Sequence, residues 1–165
     1  MEQLTKSEKI HLGIKEITKR IREQLKQFKN CEFSITHKSY SGGSSITIAL
    51  MKANFKVFRD FEDLSESAIF SYTNDRFRTI DSLKELCLQR YAQIGEYSAQ
   101  SEYNPNVWNN GHFLTLEVHN LLKEVCLIVN QYNYDNSDIQ TDYFDVNFYL
   151  HLHLGKWDKP LFECV

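Results

Sequence analysis

Nine residues near the C-terminal end set the strongest limit on the fold. From Val146 to Leu154 the chain alternates strictly: Val146, Phe148, Leu150, Leu152 and Leu154 are apolar, and Asn147, Tyr149, His151 and His153 stand between them. A period of two identifies a half-buried β-strand, because successive side chains leave opposite faces of the pleat. The strand must therefore lie in a sheet with one face turned to a core and a Tyr/His stripe turned away from it. The segment before it, Asp135 to Asp145, crowds Asp135, Asp138, Asp142 and Asp145 among Asn136, Ser137, Thr141 and Tyr143. These are turn-forming types, so an acidic loop is expected at one mouth of the sheet.

The remaining strands and their cover are sought upstream. Glu32 to Tyr40 and Ser45 to Phe58 alternate in the same way, and Ser41-Gly42-Gly43-Ser44 between them supplies the positive-φ positions of a hairpin. Ser7 to Phe28 repeats Ile10, Ile14, Ile17, Ile21, Leu25 and Phe28 at helical spacing, which predicts an amphipathic helix. A second helix is expected over Ser82 to Ile94, from Leu83, Leu86, Cys87 and Tyr91. A third is expected over Leu116 to Tyr132, from Val118, Leu121, Leu122, Val125, Ile128 and Val129. Ser98 to Gly111, with Asn104-Pro105 and Asn109-Asn110-Gly111, reads as a loop. The order predicts an α+β fold in one domain, residues 1–165: a small, mostly antiparallel sheet of about three strands, covered on one face by two to four helices.

Charge and cysteine usage narrow the function. The net charge is −3, which excludes a generally basic coat but not a local basic patch. The first thirty residues are net basic, and residues 131–165 are net acidic. Cys31, Cys87, Cys126 and Cys164 show no ligand spacing, so free thiols in a reducing compartment are expected, with no metal and no cofactor. No apolar run approaches the roughly 20 residues that cross a bilayer, and MEQLTKSEK has no signal-peptide core. A cytoplasmic protein, away from membranes, is the expectation.

Three chemistries are open to these residues. Clustered aspartates suit a hard cation, but the loop lacks the central Gly and closing Glu of an EF-hand. With His151 and His153 as an acid/base pair it would suit a metal-dependent nuclease or phosphoesterase, although no catalytic set is identified. Lys15, Lys19, Arg22 and Lys26, with Lys38, would contact phosphates in a nucleic-acid-binding module, RNA-binding included. The Ser-Gly-Gly-Ser turn lacks the spacing of a nucleotide P-loop.

Two segments, Glu32 to Ile48 and Tyr132 to Trp157, resemble one of the large polyvalent protein associated domains. The resemblance is carried by Ile21-Arg22, Phe33-Ser34-Ile35, Ser39 to Ser45, Tyr132-Asn133, Ser137-Asp138, Asp142 to Asp145 and Phe148-Tyr149. Met51-Lys52-Ala53-Asn54 stands where the family tends to have a Trp and an Asp-Gly-Pro turn, and Arg59 to Asn110 carries little of the pattern. The resemblance implies a counter-defence protein of phages and conjugative elements. Its leading form is an anti-CRISPR or anti-restriction inhibitor that binds a host defence protein or its ribonucleoprotein complex. Such an inhibitor would present Asp138, Asp142 and Asp145 as phosphate mimics, with Tyr40, Tyr143 and Tyr149 as aromatic anchors beside Gly42, Gly43 and Ser44.

Overall fold

The computed structural model describes residues 12–106, 113–138, 140–141 and 145–164. Strand β1 (Cys31–Tyr40) turns back through Ser41-Gly42 into β2 (Gly43–Ala53), and the two pair antiparallel, with Tyr40 opposite Gly43. Gly42 sits at φ +92°, the left-handed region that a side chain disfavours. β4 (Tyr149–Leu154) lies on the other side of β2 and runs parallel to it, from Ser45 opposite Tyr149 to Leu50 opposite Leu154. β3 (Ala92–Ile94) closes the order β1-β2-β4-β3 as the antiparallel neighbour of β4, and β5 (Phe162–Glu163) pairs parallel with the end of β2.

The α+β class is as the sequence implies, but the described sheet has five strands and is mixed. Its parallel pairings follow from the long helical passage between β2 and β4, which returns the chain in the same direction. Helix α1 (Ile14–Leu25) buries Ile17, Ile21 and Leu25 against the sheet. Ile10 and the other residues before Leu12 lie outside the described residues. Helix α5 (Leu116–Asn130) buries Val118, Leu121, Leu122, Val125, Ile128 and Val129. It begins at Thr115, whose side chain accepts from Val118 N. Both helices join one core with Ile35, Ile46, Ile48, Leu50, Leu152 and Leu154, the apolar faces of three adjacent strands.

Between the sheet and α5 the chain departs from the sequence reading. A helix is present where Ser82 to Ile94 predicts one, but α3 spans Ile80–Leu88. Thr79 and Ser82 form a reciprocal capping box at its start, at 3.1 and 3.0 Å. It stops because Arg90 takes φ 51°, the conformation glycine usually supplies after a helix. That turn releases Ala92-Gln93-Ile94 into β3. Two more helices, α2 (Glu66–Thr73) and α4 (Glu96–Gln100), carry no clear period in the sequence, and α4 takes the start of the expected loop. The strand expected to Phe58 ends at Ala53, and the alternation from Val146 becomes regular strand at Tyr149. Among the described residues no helix is long and apolar enough to cross a membrane.

Candidate functional site

The strand that alternates most strictly also lines an open groove. Phe148 is fully buried, Leu150 is half-buried, and Tyr149 and His151 point away from the core. Opposite them, α5 ends at Asn130, and Asn133 follows it into the acidic loop. The side chain of Asn133 holds Phe148 at both main-chain groups, donating from Nδ2 to O at 3.0 Å and accepting from N at 3.3 Å. Asn147 donates from Nδ2 to Tyr132 O at 2.8 Å, which fixes the other side of the same junction.

The loop is closed at its base by a short antiparallel pairing. Asn147 N donates to Tyr134 O at 3.1 Å, Asn136 N donates to Asp145 O at 2.9 Å, and Asp135 lies opposite Val146. The carboxylates of Asp135, Asp138 and Asp145 bond within the loop itself. Asp135 Oδ1 accepts from Ser137 N at 2.9 Å, and Asp138 Oδ1 accepts from Gln140 N at 2.9 Å. Asp145 Oδ2 accepts from Asn136 Nδ2 at 3.0 Å. The Ser137 hydroxyl, and then its N–H, hold the Asp135 carboxyl below the usual range. Ionised and hydrogen-bonded, Asp135 is a fixed negative charge at the base of the loop. Among the described residues no three His, Cys, Asp or Glu side chains converge to hold a metal ion.

The groove encloses about 710 Å³ and lies open between this loop and the hairpin tip. Tyr40 and Tyr149 line it, 50% and 43% exposed, together with Asp135 and His151. Tyr40 folds over its own turn, with its hydroxyl 3.4 Å from Ser44 O and its ring 3.3 Å from where a Cβ on Gly43 would sit. Gly43 is thus the residue that lets the ring lie flat against the hairpin. Across the groove stands Glu96, the first residue of α4. Its Oε1 accepts from Asn130 Nδ2 and Gln100 Nε2, each at 3.1 Å. Both donors are neutral, so they orient the carboxylate without cancelling its charge.

The sequence-predicted residues are therefore only partly gathered. Tyr40 and Tyr149 both line the groove; Gly43 and Ser44 contact the Tyr40 side chain from the same turn as Gly42; Asp138 and Asp145 stand in the loop and do not line the groove. Asp142 and Tyr143 lie outside the described residues. The basic set does not form one surface. Ile35 faces α1 and the core, so Lys38, three residues on, leaves the opposite face of β1. Arg22 donates to Ile35 O at 3.0 Å, and Lys26 pairs with Glu23 at 2.8 Å; Lys15 and Lys19 are exposed on α1. His151 and His153 share a face as expected, but His153 is half-buried and stacks on Tyr91. Glu96, Asn130 and Asn133 were not predicted. Nothing in a short EYSAQ segment or in two asparagines signals that they line one groove with β4.

The family model for large polyvalent protein associated domain 29 matches residues 12–105 of this chain. The match takes in the hairpin segment Glu32 to Ile48 and also the stretch after Arg59 that the sequence resemblance left out. It stops before Tyr132. No curated protein and no solved structure gives a significant match.

Proposed function

The chain belongs to the large polyvalent protein associated domain 29 family, and we propose that it is a mobile-element counter-defence protein that acts by binding a host effector. The reading is drawn from the family resemblance, and one structural observation supports its binding form. Two half-exposed tyrosines from separate strands converge on an open groove edged by Asp135 at the base of the acidic loop. Tyrosine gives large contact area at low conformational cost and is over-represented among residues that dominate interface energy. The acidic edge favours a basic surface on the effector, such as its nucleic-acid channel. CRISPR effector complexes and restriction enzymes both carry such channels, so an anti-CRISPR or anti-restriction inhibitor is the specific form proposed.

The test is a pull-down from a defence-bearing host, with and without nuclease. Its comparison is the Tyr40→Ser, Tyr149→Ser double variant. A stoichiometric protein that survives nuclease and is lost with the double variant is the expected result. Recovery of nucleic acid alone, or a partner that both forms retain equally, would overturn the reading. The first outcome would favour the basic flank of α1 as a nucleic-acid surface.

A further inference from the structure

One rung of the sheet is left open inside the groove. Gly155 N donates to Leu50 O at 2.7 Å, so the odd-numbered residues of β4 turn their main-chain groups to β2. The even-numbered ones then face the other edge. There, Leu154 and Leu152 meet Ala92 and Ile94 of β3, and Phe148 is held by the Asn133 side chain. Leu150 falls between them. β3 ends at Ile94 and the chain turns at Gly95 into α4, so among the described residues no strand lies opposite Leu150 on that edge. By this alternation its N–H and C=O are directed to the edge at which Leu150 lines the groove.

We infer that the groove receives an extended, basic segment of a protein partner, paired with the main chain of Leu150 and carrying an Arg or Lys set against Glu96 and Asp135. This rests on the reading of the protein as one that binds a protein partner, and it names the partner's chemistry. An extended residue exchanges both its main-chain groups with an exposed strand residue, which fixes position without regard to sequence. Sequence preference then comes from the walls. Glu96 forms no ion pair among the described residues, and Asp135 is held ionised by its own loop. Two carboxylates facing a shared space select a cation. Tyr40 and Tyr149 supply ring faces on which a guanidinium stacks. An anionic segment would be repelled by the same walls, and so would a nucleic-acid backbone.

The experiment uses the full chain, labelled with nitrogen-15, and two blocked hexapeptides that alternate valine with arginine or valine with glutamate. The arginine peptide is expected to shift the Leu150 and Asn133 resonances and to slow hydrogen exchange at Leu150 N–H. It should bind about tenfold or more tightly than the glutamate peptide, and Glu96→Gln should remove most of that difference. Absence of binding, shifts that avoid Leu150, or equal affinity for the two peptides would overturn the inference. If the peptides leave Leu150 undisturbed while the pull-down partner depends on Tyr40 and Tyr149, this docking mode falls and the inhibitor reading stands. If the arginine peptide binds at Leu150 and no protein partner is recovered from the host, the docking mode stands and the inhibitor reading falls.

Discussion

Asn133 grips Phe148 as a neighbouring strand would, with its amide donating to the carbonyl at 3.0 Å and accepting from the N–H at 3.3 Å. One side chain thereby ends the sheet edge and anchors the acidic loop to β4. Replacement by Leu leaves both groups of a fully buried residue without a partner, at roughly 1–3 kcal/mol for each unsatisfied group. Asn133→Leu is expected to lower the urea midpoint with an unchanged slope. A midpoint within error of the wild type would remove Asn133 as the clamp.

Gly155 lies at φ +67°, and a Cβ there would stand 2.5 Å from Leu161 N and 2.8 Å from Arg90 O. Those two atoms are themselves hydrogen-bonded at 2.8 Å, tying the chain before β5 to the turn that ends α3. Gly155→Ala must break that bond or distort β4, so a loss of at least about 2 kcal/mol is expected. Thermal unfolding of the variant is the check.

Glu163 closes the C-terminal end in a comparable way. Its Oε1 accepts from Val57 N at 2.8 Å and Phe58 N at 2.9 Å, and Arg90 stands 3.6 Å from Oε2. Glu163→Ala orphans two N–H groups of fully buried residues and is expected to cost about 2–4 kcal/mol. Hydrogen exchange at Val57 and Phe58 should quicken more than at Ile17 or Ile21 of α1.

His153 gives the fold a dependence on acid. Burial is the main cause that lowers its pKa below the ordinary 6.5, and the positive charges of His151 and Lys156 add to it. The folded chain therefore binds this proton less readily than the unfolded chain. The contribution is complete above pH 6.5 and is lost as pH falls from there through the lowered value. The stability gap between wild type and His153→Gln is expected to narrow over that interval. A gap that is constant from pH 8 to about pH 5 would contradict this.

The four thiols should react in a fixed order. Burial pushes Cys126 up to about 12 and Cys31 to about 11, and it raises Cys87 as well. Cys164 is exposed. Because the thiolate is the reactive form, a disulfide reagent at about pH 8 is expected to label Cys164 first and the others only on unfolding. Peptide mapping after brief exposure decides it.

The elements legible in the sequence are those whose period repeats several times. Phe148, Leu152 and Leu154 of the alternation, and Ile17, Ile21 and Leu25 of the stripe, are buried on the side that their spacing requires. β3 and β5 could not be seen, because three and two residues are too few to establish a period. Arg90 hid the end of α3 by taking a conformation that a search for glycine or asparagine passes over. The candidate site was half legible. Tyr40, Tyr149 and the acidic loop stand out as residue types. Glu96 joins them only because β4 enters the sheet between β2 and β3, which brings α4 beside a strand more than fifty residues further on. The same topology means that residues 12–105 alone would leave β2 and β3 without the strand that joins them. That fragment is expected to be unfolded by circular dichroism, whereas the full chain should unfold in a single transition.

The most direct test of the groove as the working surface is inhibition itself. Phage plating is scored on a defence-bearing host that expresses either the wild type or the Tyr40→Ser, Tyr149→Ser variant, with thermal midpoints measured on both purified proteins. The account predicts that the wild type restores plating and that the variant does not, at closely similar midpoints. Equal protection by both would show that the groove is not where the host effector binds.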